Sequence, residues 1–452
     1  MYLMEPPRKK KHCIQQVFVL VGFPLCVALR LNLCRMLNMG SFWFFVQFGH
    51  LFLVLFLLID SVAVQAFTGT YGINYGRVGD NLLSPKNVVA LIKAAKIKNV
   101  RIYDTDRDVL NAFRGTGLEV VVTLPNAMLP DMSLNEDDAV NWVKDNVQSF
   151  LPETQIRGIS VGNEVLGVAE FELWGALLGA AKNIYKAVKR LKLTDIQIYT
   201  PHAEAVFTNS YPPSSCTFNH NVKKYMKPLL EFFSEIGSPF CLNAYPFLVY
   251  MANPKNVDLN YALFLDSKGS YDPNTNLHYD NLLEAQIDAA YAALEDAGFK
   301  NMEIIVTETG WASKGDANET AATENNAKIY NYNLRKRLAM GKGTPLRPKI
   351  VVKAYVFALL NENLKPGPTS ERNYGLFKAN GNIAYDIGFH GTSSSGDDDS
   401  VSDSLFLEDE HTVSSSANSL LFSSKDIGAQ DWFRLRYFLF QISAAALLLL
   451  LK

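Results

Sequence analysis

Between about residue 67 and residue 390, short runs rich in Val and Ile alternate with stretches whose apolar residues recur every three or four positions. The runs fall at 70–75, 99–103, 118–124, 156–161, 196–200, 239–245, 303–307 and 351–357. Most are bounded by turn residues, and they do not alternate cleanly between apolar and polar, which is the pattern of strands covered on both faces. Between them, 172–191 places Leu173, Leu177, Ala180, Ile184 and Val188 at helical spacing. A helix over 85–98 is opened by Ser84 as N-cap, with Pro85 in the first turn. The stretches 281–297 and 319–340 read in the same way. Eight strands alternating with helices predict an α/β fold, a (β/α)8 TIM barrel with a flexible C-terminal tail. An open doubly wound sheet is the alternative, but no Gly-rich phosphate loop follows the first strand.

The two ends break this rhythm. Residues 8–11 are basic, and apolar runs follow at 17–31 and 42–58, ending in Val64-Gln65-Ala66. That layout predicts a leader, 1–66, cleaved after Ala66 as a secretory signal. Met39 makes the better start, with 1–38 an upstream extension; a retained signal-anchor is the alternative. At the other end, 391–430 is rich in Ser and Asp and reads as a flexible spacer. The apolar stretch 431–452 then has the layout of a GPI-anchor signal, with Ser416, Asn418 and Ser423 as candidate attachment residues. Arg434 and Arg436 leave only 437–451 uninterrupted, short of the ~20 residues that a membrane-spanning helix needs.

Composition narrows the class. Hydrophobic residues make up 48% of the 452, enough for a large core and too many for global disorder. Lys+Arg at 43 nearly balances Asp+Glu at 45, so nothing electrostatic points to nucleic acid as a partner. Of five cysteines, only Cys216 and Cys241 lie beyond the leader, which excludes a disulfide scaffold. Two separate buried thiols are preferred to a bridge. No His/Cys cluster has ligand spacing, so neither a metal nor an organic cofactor is expected.

A barrel carries its chemistry just past the C-terminal ends of its strands. The fourth run ends in Val161-Gly162-Asn163-Glu164 and the seventh in Thr307-Glu308-Thr309-Gly310-Trp311. Glu164 and Glu308 therefore converge on one mouth. Paired carboxylates that flank a sugar bond are the machinery of glycoside hydrolysis. Trp311 offers an apolar face for a pyranose. After the eighth run come Glu362, Lys365 and Glu371, where Lys365 favours the ionised form of neighbouring carboxylates. Taken alone, that cluster is equally consistent with a solvated turn.

Five segments in order, Tyr71-Gly72-Ile73-Asn74-Tyr75-Gly76, Val100-Arg101-Ile102-Tyr103-Asp104, Val161-Gly162-Asn163-Glu164, Asn243-Ala244-Tyr245-Pro246-Phe247 and Thr307-Glu308-Thr309-Gly310-Trp311, resemble the plant endo-1,3-β-glucanases, glycoside hydrolase family seventeen. The resemblance covers essentially all of 67–389. It implies a retaining enzyme with Glu164 as acid/base and Glu308 as nucleophile, their carboxyl groups about 5–5.5 Å apart. It also implies that Tyr103, Asn163 and Tyr245 line a glucan groove, beside Glu362, Lys365, Glu371 and the aromatic wall of Tyr374. One departure is Ala312, where the family usually has Pro; its loss frees the backbone near Trp311. The Cys-rich carbohydrate-binding module of many anchored relatives is ruled out by the cysteine count. Asn318-Glu319-Thr320 is a glycosylation sequon in a surface loop. The expected activity is endo-hydrolysis of 1,3-β-glucan such as callose by a monomer, secreted to the wall or GPI-anchored on the outer plasma membrane. The alternatives are a 1,3;1,4-β-glucanase and a poorly active wall-glucan-binding protein.

Overall fold

The computed structural model describes residues 67–388. The leader, the spacer and the apolar tail, with their expected cleavage and anchor sites, lie outside the described residues.

Eight strands, β1 (Tyr71–Tyr75), β2 (Asn99–Ile102), β3 (Glu119–Leu124), β4 (Gln155–Val161), β5 (Gln197–Tyr199), β6 (Phe240–Asn243), β7 (Ile304–Thr309) and β8 (Ala354–Val356), form one parallel sheet. It runs β5-β4-β3-β2-β1-β8-β7-β6. Beyond Thr200, the strand Pro201–Ala203 carries on from β5 and pairs with β6, so the sheet wraps round as a barrel. Every residue of β2, β3, β6, β7 and β8 is buried. That is why these strands show no apolar–polar alternation, and each buried Val, Ile, Leu or Phe among them contributes about 1.5–3 kcal/mol by leaving water.

The expected strands are all present, with ends shifted by up to three residues. One shift matters: Glu308 lies within β7 rather than past its end. The register of β7 slips against both neighbours, so that Val306 faces Leu242 while Glu308 faces Asn243. This bulge inserts an extra residue and re-aims the side chains at the strand's end.

Helices pack outside the strands: α1 (Pro85–Ala94), α2 (Glu136–Asn146), α3 (Leu177–Arg190), α4 (His220–Glu235), α5 (Leu282–Asp296) and α6 (Glu324–Ala339). Ser84 does stand at the N-cap of α1 before Pro85, but its side chain makes no capping bond. The expected helix 172–191 is two pieces, a turn over Phe171–Trp174 and then α3. The expected 319–340 begins late, at α6, because the Thr323 side chain accepts from the Asn326 N–H and caps it there. Helix α4 holds Pro228 in its interior, where Pro costs a hydrogen bond; burial of Met226, Leu229, Leu230 and Phe233 offsets that loss. Cys216 and Cys241 are free, buried thiols, as preferred from the sequence.

Candidate active site

At the C-terminal end of the barrel the strands open into a cleft of about 910 Å³. Tyr103, Asn163, Glu164, Tyr245, Glu308, Glu362, Lys365, Glu371 and Tyr374 all line it. Each reaches it by a separate route. Glu308 is aimed by the β7 bulge. Glu164 follows β4 through a tight turn in which Gly162 (φ +69°) and Glu164 itself (φ +52°) are left-handed. A non-glycine residue in that region is strained and is held only where its surroundings insist on it. Here the Glu164 N–H donates to the Pro201 carbonyl (3.0 Å) and the Gly162 N–H to the Leu124 carbonyl (2.9 Å), tying the turn to the two neighbouring strands.

Glu308 is the better anchored of the two. Its Oε1 accepts from Arg101 Nη1 (2.8 Å) and the Tyr103 hydroxyl (2.7 Å), and its Oε2 from the Tyr245 hydroxyl (2.8 Å). Arg101 comes from the middle of β2 and is fully buried. Its Nη2 donates to Asn163 Oδ1 (2.7 Å). Breaking such a buried pair costs about 3–5 kcal/mol, because the survivor is left an uncompensated charge. Burial and the Glu308 charge push the Tyr103 and Tyr245 phenols well above the usual tyrosine range, so both stay protonated and donate.

Glu164 has a different environment. Among the described residues it accepts one hydrogen bond, from Asn243 Nδ2 to Oε1 (2.8 Å). Asn243 is itself positioned by Thr307, whose hydroxyl donates to Asn243 Oδ1 (2.7 Å). Burial first, and the Glu308 charge second, raise the Glu164 carboxyl to about 7 against the pull of Asn243, Arg101 and Lys365. The neutral acid is therefore well populated near neutral pH.

The loop after β8 supplies the cleft's other wall. The Val78 N–H donates to Glu362 Oε1 (2.8 Å), and burial raises the Glu362 carboxyl. A Cβ at Gly76 would lie 2.4 Å from that carboxylate, so a larger residue there would have to push the Glu362 side chain from its place. Lys365 pairs with Glu371 (3.0 Å) and sits over the Phe357 ring (4.2 Å). Glu362, Lys365 and Glu371 are thus held by specific partners, while Asn363, Leu364 and 366–368 between them are exposed as a solvated turn would be. Tyr374 packs edge-on to Tyr245 and Phe357.

Trp311 is the exception among the expected contacts. It is fully buried and does not line the cleft. Its indole N–H donates to the Ala321 carbonyl (2.8 Å), and Phe247 and Tyr330 cover the ring. It offers no face to a sugar; it backs Phe247, which in turn packs against Tyr374. Ala312 is buried beside it. Asn318 lies exposed in a turn, as the sequon reading requires of an acceptor. Arg101 and Asn243 join the site although the sequence does not single out either as a site residue. A cation inside the run Val100-Arg101-Ile102 was the available signal, since a buried charge must have a partner. Among the described residues, no group of His, Cys, Asp and Glu is arranged to hold a metal ion.

Comparison with known proteins agrees with this geometry. The sequence profile of glycosyl hydrolases family 17 matches residues 71–389. The chain is 46% identical over 340 residues to glucan endo-1,3-beta-glucosidase 11 of Arabidopsis thaliana, covering 74% of this chain and 80% of that protein. It is 42% identical over 341 residues to glucan endo-1,3-beta-glucosidase 14 of the same plant, covering 75% and 87%. Among solved structures it is similar to CJP38, a β-1,3-glucanase and allergen of Cryptomeria japonica pollen, with TM-score 0.68 and 39% identity over 71% of this chain and 99% of that one. A structure described with two plant β-glucan endohydrolases of distinct substrate specificities matches with TM-score 0.65 and 34% identity over 70% and 99%. The chain, a (β/α)8 barrel with two glutamates in one cleft, belongs to glycosyl hydrolases family 17 and is a glycosidase.

Proposed function

We propose that this cleft hydrolyses internal 1,3-β-D-glucosidic linkages of a 1,3-β-glucan such as callose, with retention of configuration. Glu308 attacks the anomeric carbon while Glu164 protonates the departing oxygen; Glu164, now ionised, then takes a proton from the water that releases the glycosyl group from Glu308. The observation that carries this reading is the contrast between the two environments. Three donors fix the Glu308 carboxylate from the floor of the cleft, while Glu164 is raised to about 7 in the same cleft. A carboxyl raised by burial beside one gripped by three donors is the contrast that an acid and a nucleophile require. The names of the relatives favour the 1,3-β-linkage. Tyr103, Asn163, Tyr245, Glu362, Lys365, Glu371 and Tyr374 bind the glucan in this scheme, and no cofactor takes part.

Reducing-sugar release from laminarin and from lichenan, using leader-free protein, tests it. The expected result is internal cleavage of laminarin, with β-anomeric products first by NMR. Glu164→Gln lowers the rate by roughly 10²–10⁴-fold, as loss of a general acid should. Laminarin hydrolysis by Glu308→Gln at the wild-type rate would remove the nucleophile assignment, and preference for lichenan would move the substrate to mixed-linkage glucan. The same reading has the protein exported as a monomer, glycosylated at Asn318 and held at the outer plasma membrane or wall by a GPI anchor. N-terminal sequencing and release by a phosphatidylinositol-specific phospholipase check those parts.

A further inference from the structure

The cleft holds a carboxyl group that the scheme above leaves without a role. Glu204 lines it directly after the strand Pro201–Ala203. Pro201 in that strand is the residue whose carbonyl holds the Glu164 backbone (3.0 Å). Glu204 thus sits on the Glu164 side of the cleft, whereas Glu362, Lys365 and Glu371 come from the loop after β8. It is also deliberately held: Gln286 of α5 donates from Nε2 to Glu204 Oε2 (2.8 Å). Oε1 accepts no hydrogen bond from any described residue.

We propose that Glu204 is a specificity-determining residue that hydrogen-bonds the sugar on the leaving-group side of the scissile bond, with Gln286 setting its orientation. The side follows from the chemistry. The acid must reach the departing oxygen, so the sugar that leaves lies against the acid's side of the cleft. This rests on the assignment of Glu164 as that acid. Burial raises the Glu204 carboxyl to about 7, so near neutral pH it both donates to and accepts from a sugar hydroxyl. Glu204 is only partly buried and water can reach it in the open cleft, so a leaving group that lacks a sugar hydroxyl at this place neither gains nor loses by it.

The test compares two substrates of the purified, leader-free enzyme: a linear 1,3-β-gluco-oligosaccharide labelled at its reducing end, and an aryl β-laminarioligoside whose leaving group is a nitrophenol. Glu204→Ala is expected to lower kcat/KM on the oligosaccharide roughly tenfold, as loss of one good hydrogen bond should, and to shift the preferred cleavage position along the chain. On the aryl substrate its kcat/KM stays at the wild-type value. Glu204→Gln, which keeps the shape and both hydrogen-bonding roles, retains most activity on both. An unchanged cleavage pattern, or an equal loss on both substrates, would overturn the proposal; equal loss means that Glu204 only supports the fold. Full activity of Glu164→Gln on the oligosaccharide would instead overturn the acid assignment beneath it, a result the Glu204 variants cannot mimic.

Discussion

A carboxyl that gives up a proton and one that attacks carbon cannot share an environment. Individual side chains set them apart here: Arg101 and two phenols around Glu308, a lone amide at Glu164. The amide's effect has a definite sign. Asn243 donates to Glu164 and so favours its ionised form. In the proposed scheme Glu164 must be protonated to act as acid, so activity is expected to fall as pH rises through about 7. Asn243→Ala removes the opposing hydrogen bond and moves that alkaline limb of kcat/KM upward, which a pH–rate profile reads directly. A limb that moves downward, or stays put, means that Asn243 does not tune this carboxyl. Arg101 shows why the site was only partly legible in sequence. The two glutamates announced themselves by ending apolar runs, but their supporting residues lie inside those runs, where composition alone marks them as core.

At the scale of elements, the site depends on how closely the ends of β7 and β8 approach. A Cβ on Gly310 would lie 2.0 Å from the Phe357 carbonyl oxygen, a backbone atom with no room to yield. Phe357 packs against Tyr103, Tyr245 and Tyr374, so displacing it disturbs the ring of donors about Glu308. Gly310→Ala should therefore cost about 1–3 kcal/mol or more of stability, as overpacking does, and lower activity with it. Gly175→Ala, with nothing within 4 Å, is the control and should leave the melting temperature near wild type. Strand positions were readable because burial on both faces leaves an unmistakable apolar run. The direction of a side chain at a strand's end was not. Trp311 follows Glu308 closely, yet the backbone turns it beneath the cleft against Phe247 and Tyr330. The bulge in β7, which brings Glu308 inside the strand, depends on register with β6 and β8 and so has no local signature. In helix α4, Pro228 is a local signal against a helix, and only tertiary packing overrides it.

For the whole molecule, the closed barrel is what makes distant residues into one site. β2, β4, β6, β7 and the loop after β8 each contribute, and only their return to a common mouth places Arg101 against Glu308 and Asn243 against Glu164. The alternation of strand and helix predicted that closure, and the order of the sheet delivers it. In the proposed scheme this mouth forms a glycosyl bond to Glu308 during turnover. Mass spectrometry of the protein after incubation with a 2-deoxy-2-fluoro-β-laminaribiosyl fluoride tests it most directly, because the fluorine slows release of the covalent intermediate. The expected result is one added glycosyl group, on the peptide carrying Glu308. Attachment at any other carboxyl group, or turnover that gives the inverted α-anomer with no adduct, would contradict it.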